Sequence, residues 1–244
     1  MGAVGPVRLS VVLDRGSTTA LVYGASADSR VGATLVLAHG AGAPQQSTFM
    51  VEFARGLSAR GVNVVTFNFL YTEQKRRVPD RTAVLDACYR AVVATVREHP
   101  ALGRNRIFIG GKSMGGRIAT HLAADAGKDH ALRIPDPGSR IPLTGVILLG
   151  YPLHPPGKPE QLRASHLPNI RVPMLFVQGE RDTFGTPAEL RPILDGLKAE
   201  ATLHVVARGD HSLAPSRRKD DIAAAYGEVQ KVIVDWVRRV QEVQ

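Results

Sequence analysis

Residues 107–116 read IFIGGKSMGG, and no other ten positions restrict the fold so tightly. A short apolar run (Ile107, Phe108, Ile109) stops at Gly110-Gly111, and Lys112, Ser113, Met114, Gly115 and Gly116 follow. Positions 117–126 then continue with helical spacing. The order strand, tight turn, helix puts Ser113 at the apex of Gly-x-Ser-x-Gly. Side chains two residues either side of such an apex would run into neighbouring backbone, which glycine avoids. The turn lifts the serine oxygen to a helix N-terminus, where the dipole favours developing negative charge. The bare pattern arises by chance in about one chain in ten of this composition, so its strand-and-helix setting carries the weight.

The rest of the chain supplies the matching elements. Positions 7–13 and 19–23 alternate as an N-terminal hairpin about Asp14-Arg15-Gly16-Ser17. Apolar runs at 34–38, 62–67, 106–110, 146–150 and 174–179 mark strands buried on both faces, and 202–207 adds another. Helical spacing covers 47–60, 81–99, 114–126, 187–197 and 217–240, with Val84, Leu85, Cys88, Val92 and Val96 forming one stripe. Strands alternating with helices predict an α/β fold: a mostly parallel central sheet, helices on both faces and right-handed crossovers. Positions 151–172 hold five prolines and read as a loop, too short for a sizeable lid domain. The expectation is one domain over residues 1–244.

In such a sheet, ligands gather at the carboxyl ends of the strands. Ser113 follows one strand; Gly179-Glu180-Arg181-Asp182, Arg208-Gly209-Asp210-His211 and His39-Gly40-Ala41-Gly42-Ala43-Pro44 follow three others. A serine hydroxyl needs a base to take its proton, and the base needs an acid to orient it. The chain order Ser113, Asp182, His211 suits those roles. Rival histidines fit less well. His121 lies eight residues into the elbow helix, His204 is mid-strand, and His99, His130 and His166 sit near helix ends or in loops. Among rival acids, Glu180 is closer to its strand, and Asp210 would have to fold back onto the adjoining His211. The loop after 146–150 has no carboxylate before Glu160. A developing oxyanion would meet the Met114 N–H and a second donor from the glycine-rich turn, with Ala41 favoured over Gly40 or Gly42. His39 is expected to brace that turn.

The stretches LAHGAGAP (37–44), IGGKSMGGR (109–117), GYPLHPPGKPEQLR (150–163), QGERDTFG (178–185) and GDHSL (209–213) carry a resemblance. The chain resembles the α/β-hydrolase superfamily over about residues 33–242 and, more closely, its KANL/Tex-type hydrolase-like domains. That resemblance implies an α/β-hydrolase fold with Ser113 as nucleophile, His211 as general base and Asp182 as its orienting acid. It implies a serine hydrolase cleaving small carboxylic esters or thioesters through an acyl-enzyme. Some eukaryotic relatives serve as subunits of larger assemblies and lack a full triad, so the alternative is a catalytically weak binding or scaffold protein. Serine at the elbow argues against a dienelactone-hydrolase-type lactonase, which would have cysteine there, and against a dehalogenase, which would have aspartate.

Two features bear on specificity. Lys75-Arg76-Arg77 in the 70–80 loop and Lys112 beside Ser113 either bias the site toward anionic substrates or form a solvated charge cluster with Lys112 turned away, a choice the residues leave open. The Tyr151-Pro152-Leu153-His154-Pro155-Pro156 turn is expected to wall the acyl pocket, with Tyr151 or His154 reaching substrate. The net charge of +9 comes mainly from arginines scattered singly, without a basic stripe interleaved with aromatics, so a nucleic-acid partner is not expected. No apolar run reaches a membrane span, and positions 1–13 lack a secretory pattern, so a cytoplasmic protein is expected. Cys88 is the only cysteine, and no metal-ligand or phosphate-loop spacing is present; no metal or cofactor is predicted. The oligomeric state is left open by these patterns.

Overall fold

The computed structural model describes residues 5–127, 131–133 and 140–243. The expectations for positions 1–4 and for His130 lie outside the described residues. Strands β1 (Val7–Leu13) and β2 (Gly16–Tyr23) form the N-terminal hairpin, paired from Val7↔Val22 to Leu13↔Gly16. Next come β3 (Ala33–Ala38), α1 (Thr48–Ala59), β4 (Asn63–Phe67), α2 (Leu70–Glu73), α3 (Thr82–Glu98), β5 (Arg106–Lys112) and α4 (Met114–Ala126). The chain continues through β6 (Ala131–Arg133), β7 (Arg140–Pro142), β8 (Gly145–Leu149), β9 (Met174–Gly179), α5 (Pro187–Asp195), β10 (Ala201–Val206) and α6 (Lys219–Val243).

Among the described residues the main sheet has eight strands in the order β1-β2-β4-β3-β5-β8-β9-β10. Pairings from β4 onward are parallel, and only the hairpin joins antiparallel. The strands alternate their side chains between two apolar layers, as period two requires. Val36, Ile109, Val146 and Phe176 pack under α3 and α4, whereas Leu35, Phe108, Ile147 and Leu175 pack under α1 and α6. Every residue of β3, β8 and β9 is buried, which explains their unbroken apolar runs.

The observed elements differ from the sequence reading at a few points. β5 runs two residues further than its apolar run, because Gly111 and Lys112 still pair with Leu148 and Leu149 of β8. The 70–80 loop opens with one helical turn, α2, and β6 and β7 form a small separate antiparallel pair. Within 151–172, residues 167–169 make a turn of 3-10 helix. Among the described residues no helix is long and apolar enough to cross a membrane.

One side chain from the helical layer enters the sheet beside the elbow. Tyr89 on α3 is fully buried, and its hydroxyl accepts the Gly110 N–H at 2.8 Å. It also lies 2.7 Å from the Val36 carbonyl oxygen and 2.6 Å from that of Gly110, with one hydrogen to donate between them. The hydroxyl therefore serves backbone groups of β3 and β5 that water cannot reach. Tyr89→Phe keeps the ring but strands those groups, and is expected to lower unfolding stability by about 1–3 kcal/mol. A urea midpoint equal to that of the wild type would overturn this account.

Candidate active site

The site begins with a backbone problem. Ser113 adopts φ 49° and ψ −115°, a conformation that side-chain-bearing residues rarely take. It persists because the flanking glycines let β5 and α4 close against the end of β3. A Cβ at Gly115 would stand 2.5 Å from the Ala38 carbonyl oxygen and 2.6 Å from that of His39. At Gly111 it would meet the Ala38 oxygen at 2.6 Å and the Gly115 carbonyl carbon at 2.5 Å. The Ser113 N–H donates to Leu149 O at 3.0 Å, fastening the turn to β8. Ser113 is thus the N-cap of α4, and the adjoining Met114 N–H is one of the first-turn donors without an intrahelical acceptor.

Ser113 Oγ lies 2.8 Å from His211 Nε2. On the other side of the ring, His211 Nδ1 is 2.9 and 2.8 Å from the two oxygens of Asp182. An ionised carboxylate only accepts, so Nδ1 carries the hydrogen and Nε2 is left to accept from the serine hydroxyl. Asp182 has no solvent exposure, and two further donors hold it: Gln178 Nε2 at 2.8 Å and the Phe184 N–H at 2.9 Å. The rivals are engaged elsewhere. Glu180 accepts the Arg208 N–H at 2.6 Å, and Asp210 accepts the N–H groups of Ser212 and Ala214 within its own turn. His204 sits in β10, His99 ends α3, and His121 stacks on His166 with ring centroids 4.0 Å apart.

The glycine-rich turn after β3 lies against the elbow. A Cβ on Gly40 would be 3.5 Å from Ser113 Cβ, and Ala41 and Gly42 are exposed beyond it. His39 fixes this turn from below. Its Nδ1 donates to Gly40 O at 2.7 Å, and Nε2 accepts the Phe69 N–H at 3.1 Å and faces Thr72 Oγ1 at 3.3 Å. Complete burial pushes its pKa down to about 4, only partly countered by the Gly40 bond, so the ring is neutral at pH 7.

Lys112 departs from a substrate-binding position. Its ammonium is not turned toward an incoming anion; it donates to the His211 carbonyl oxygen and lies 5.6 Å from the centroid of the Phe49 ring. Only 9% of the residue is exposed. Tyr151 and His154 likewise face inward. Tyr151 is fully buried and donates to Arg163 O at 2.6 Å, while His154 approaches Pro155 O at 2.9 Å and Glu189 at 3.2 Å. Both side chains stiffen the loop after β8 from inside it. In the Lys75-Arg76-Arg77 cluster, which is exposed, Arg76 pairs with Asp80 at 2.7 Å. Among the described residues no three His, Cys, Asp or Glu side chains gather as a metal-ligand set.

Two residues of the site escaped the sequence reading. Gln178 is buried at the end of β9, where its amide bonds Asp182, the Tyr151 backbone and Gly185 O. A lone amide closing an otherwise apolar strand was the available signal. Phe184 stacks on the His211 ring at 4.1 Å, and nothing in its local pattern marks it.

Burial pushes the Lys112 ammonium down to about 8, against the attraction of Asp182 and Asp210. The unfolded lysine still binds its proton between there and its ordinary 10.5, while the folded one has released it. Stability must therefore rise with pH across that window. Measured by urea midpoints, the wild type is expected to gain on Lys112→Met between about pH 8 and 10.5. A difference that stays constant with pH would show that the ammonium is not buried as described.

The chain matches the family model described as "Alpha/beta hydrolase domain" over residues 31–238. Solved structures share its architecture. An alpha-beta serine hydrolase homologue from Coxiella burnetii superimposes with a TM-score of 0.71 at 16% identity, covering 96% of this chain and 99% of that one. XC6422 from Xanthomonas campestris, a serine hydrolase without a lid, gives 0.70 at 19% identity, covering 98% and 96%. Dienelactone hydrolase from Anabaena variabilis gives 0.71 at 17% identity, covering 96% and 97%. At these identities the likeness establishes the fold, a mostly parallel sheet with helices on both faces. The family match spans most of the sequence, from the residues before β3 to the last turns of α6, and the chain belongs to the α/β-hydrolase family.

Proposed function

We propose that this protein is a serine hydrolase cleaving small carboxylic esters or thioesters through an acyl-enzyme on Ser113, His211 and Asp182. The observation that carries the reading is the unbroken chain from Ser113 Oγ through the His211 ring to the buried Asp182. Ser113 Oγ attacks the acyl carbonyl as His211 Nε2 takes its proton. Asp182 holds the tautomer that leaves Nε2 free and stabilises the imidazolium that forms. The charged carbonyl oxygen is received by the N–H of Met114 and a donor from the turn after β3, with Ala41 preferred to Gly40 or Gly42. His211 then gives its proton to the departing alcohol or thiol, and water, activated by the same ring, releases the acid.

The open setting suits small substrates, because among the described residues nothing comparable to a lid domain stands over the carboxyl ends of the strands. The likeness to serine hydrolases, one of them lidless, supports ester chemistry. The stretches at 37–44, 109–117 and 150–163 support a place within the KANL/Tex-type subgroup.

The reading is tested by labelling the purified protein with a fluorophosphonate probe while following hydrolysis of p-nitrophenyl acetate and butyrate. Rapid labelling and turnover are expected, both lost in Ser113→Ala, and Asp182→Asn is expected to lower kcat by about 10⁴. A folded wild type that neither labels nor turns over would overturn the proposal and leave the scaffold alternative in front.

A further inference from the structure

Arg117 and Arg163 close two of the distinctive stretches, IGGKSMGGR and GYPLHPPGKPEQLR. Neither takes part in the Ser113–His211–Asp182 chain. Arg117 lies one turn beyond the nucleophile, its N–H donating to Ser113 O at 3.0 Å. Residues four apart share one face of a helix, so Ser113 and Arg117 sit one above the other.

The segment carrying Arg163 packs on this same part of α4. Thr120, in the next turn, donates to Arg117 O at 2.7 Å, and its Oγ1 is 2.8 Å from His166 Nε2. His166 in turn stacks on His121. Three residues before His166, the Arg163 backbone is pinned at both ends. Its N–H donates to Leu153 O at 2.8 Å and its carbonyl accepts the Tyr151 hydroxyl at 2.6 Å. Arg117 and Arg163 are both half-buried residues, and both act electrostatically on the buried Tyr151.

Exposed arginines of this protein commonly stand without a partner, but among the described half-buried ones Arg60, Arg90 and Arg171 each have one and Arg117 and Arg163 do not. Arg60 reaches Gln230, Arg76 pairs with Asp80, Arg90 with Asp86 and Asp125, and Arg239 with Glu200. Among the described residues, the side chains of Arg117 and Arg163 have no carboxylate within ion-pair distance and no hydrogen bond. Instead they repel: burial first, and then Arg163, lower the pKa of Arg117. His121 and His166 add no charge at neutral pH, since burial pushes both down, His166 to about 4. Placing two partly desolvated cations together without an acid is unfavourable for folding alone. The planar fork of each guanidinium matches a carboxylate in bidentate geometry.

We propose that Arg117 and Arg163 form a carboxylate-binding subsite beside Ser113, so that the preferred substrates are esters carrying a free carboxylate. This rests on the serine-hydrolase reading above and sharpens its substrate class. It also relocates the anion preference, because the Lys112 ammonium is held by the His211 carbonyl and the Arg76 guanidinium by Asp80.

The probes are 4-nitrophenyl monoesters of succinate, glutarate and adipate, and 4-acetoxybenzoate for a carboxylate on the leaving group. Each is compared with its neutral methyl-capped counterpart. The wild type is expected to favour the charged member of at least one pair by about tenfold or more in kcat/KM, chiefly through KM. Arg117→Gln and Arg163→Gln should each collapse that ratio, and Arg163→Lys should restore part of it; thermal melts establish that the variants are folded. Binding of adipate to Ser113→Ala by calorimetry gives a readout independent of turnover, expected to weaken by about tenfold when Arg163→Gln is added.

Equal turnover of neutral and charged esters, with no adipate binding, overturns the subsite and leaves the hydrolase reading standing. A preference that survives both glutamine variants but is lost in Arg77→Gln places the anion on the 70–80 loop and overturns it as well. Adipate binding that depends on Arg163, in a protein that hydrolyses nothing, supports the subsite and sinks the hydrolase reading. Absence of both binding and turnover overturns both.

Discussion

Everything at the reactive end of this molecule depends on two places where backbone touches backbone. Gly111 and Gly115 stand where any Cβ would overlap the carbonyl groups that end β3. Because those side chains are absent, β5 can pass directly into α4 with only Ser113 in the turn. The conformation of Ser113 is unfavourable by order of about 1–3 kcal/mol, and it is held by paired strands on both sides of β5. The strain is therefore carried by the most rigid part of the sheet, where it cannot relax by moving a loop.

The sheet order then explains why three distant positions meet. β8 and β9 follow β5, and β10 follows β9, so the loops bearing Asp182 and His211 approach the elbow from one side. The turn bearing His39 approaches from the other, along β3. Each loop is fixed by its own contacts: Gln178 for Asp182, the Lys112 hydrogen bond and the stacked Phe184 ring for His211, and the His39 ring for the glycine-rich turn. Of these, Gln178, Lys112 and His39 are buried and hydrogen-bonded, the condition under which polar side chains specify one geometry. The site is accordingly built on strand ends rather than on a closing flap.

What the sequence disclosed and withheld follows from the range of each signal. Strands buried on both faces announce themselves as continuous apolar runs, and the elbow announces itself through glycines forced by close contact. Residues placed directly at strand ends, such as Asp182 and His211, could be read from chain order and spacing. Side-chain direction could not. Lys112 is the neighbour of Ser113 in sequence, yet strand alternation sends its ammonium beneath the His211 loop rather than toward the solvent-facing site. Tyr151 and His154 sit in a proline-rich turn that looks exposed in one dimension, but that turn folds its aromatic and imidazole groups inward. The one-turn helix at Leu70–Glu73 and the β6–β7 pair are too short for periodicity to register. The facing of Arg117 and Arg163 depends on how residues 150–166 drape over α4, a tertiary relation that no local pattern encodes.

The Lys112 contact has a mechanical meaning. Lys112 is covalently joined to Ser113 and hydrogen-bonded to the backbone of His211, so Ser113 and His211 are tethered twice, once through Oγ and once through the chain beneath it. The first tether is consumed by any chemistry that esterifies Oγ, since that oxygen then has no hydrogen to offer the imidazole. The second is untouched by the same event. On the proposed acyl-enzyme route, His211 would therefore keep its registration to the elbow while Ser113 is acylated, in place to meet an arriving water.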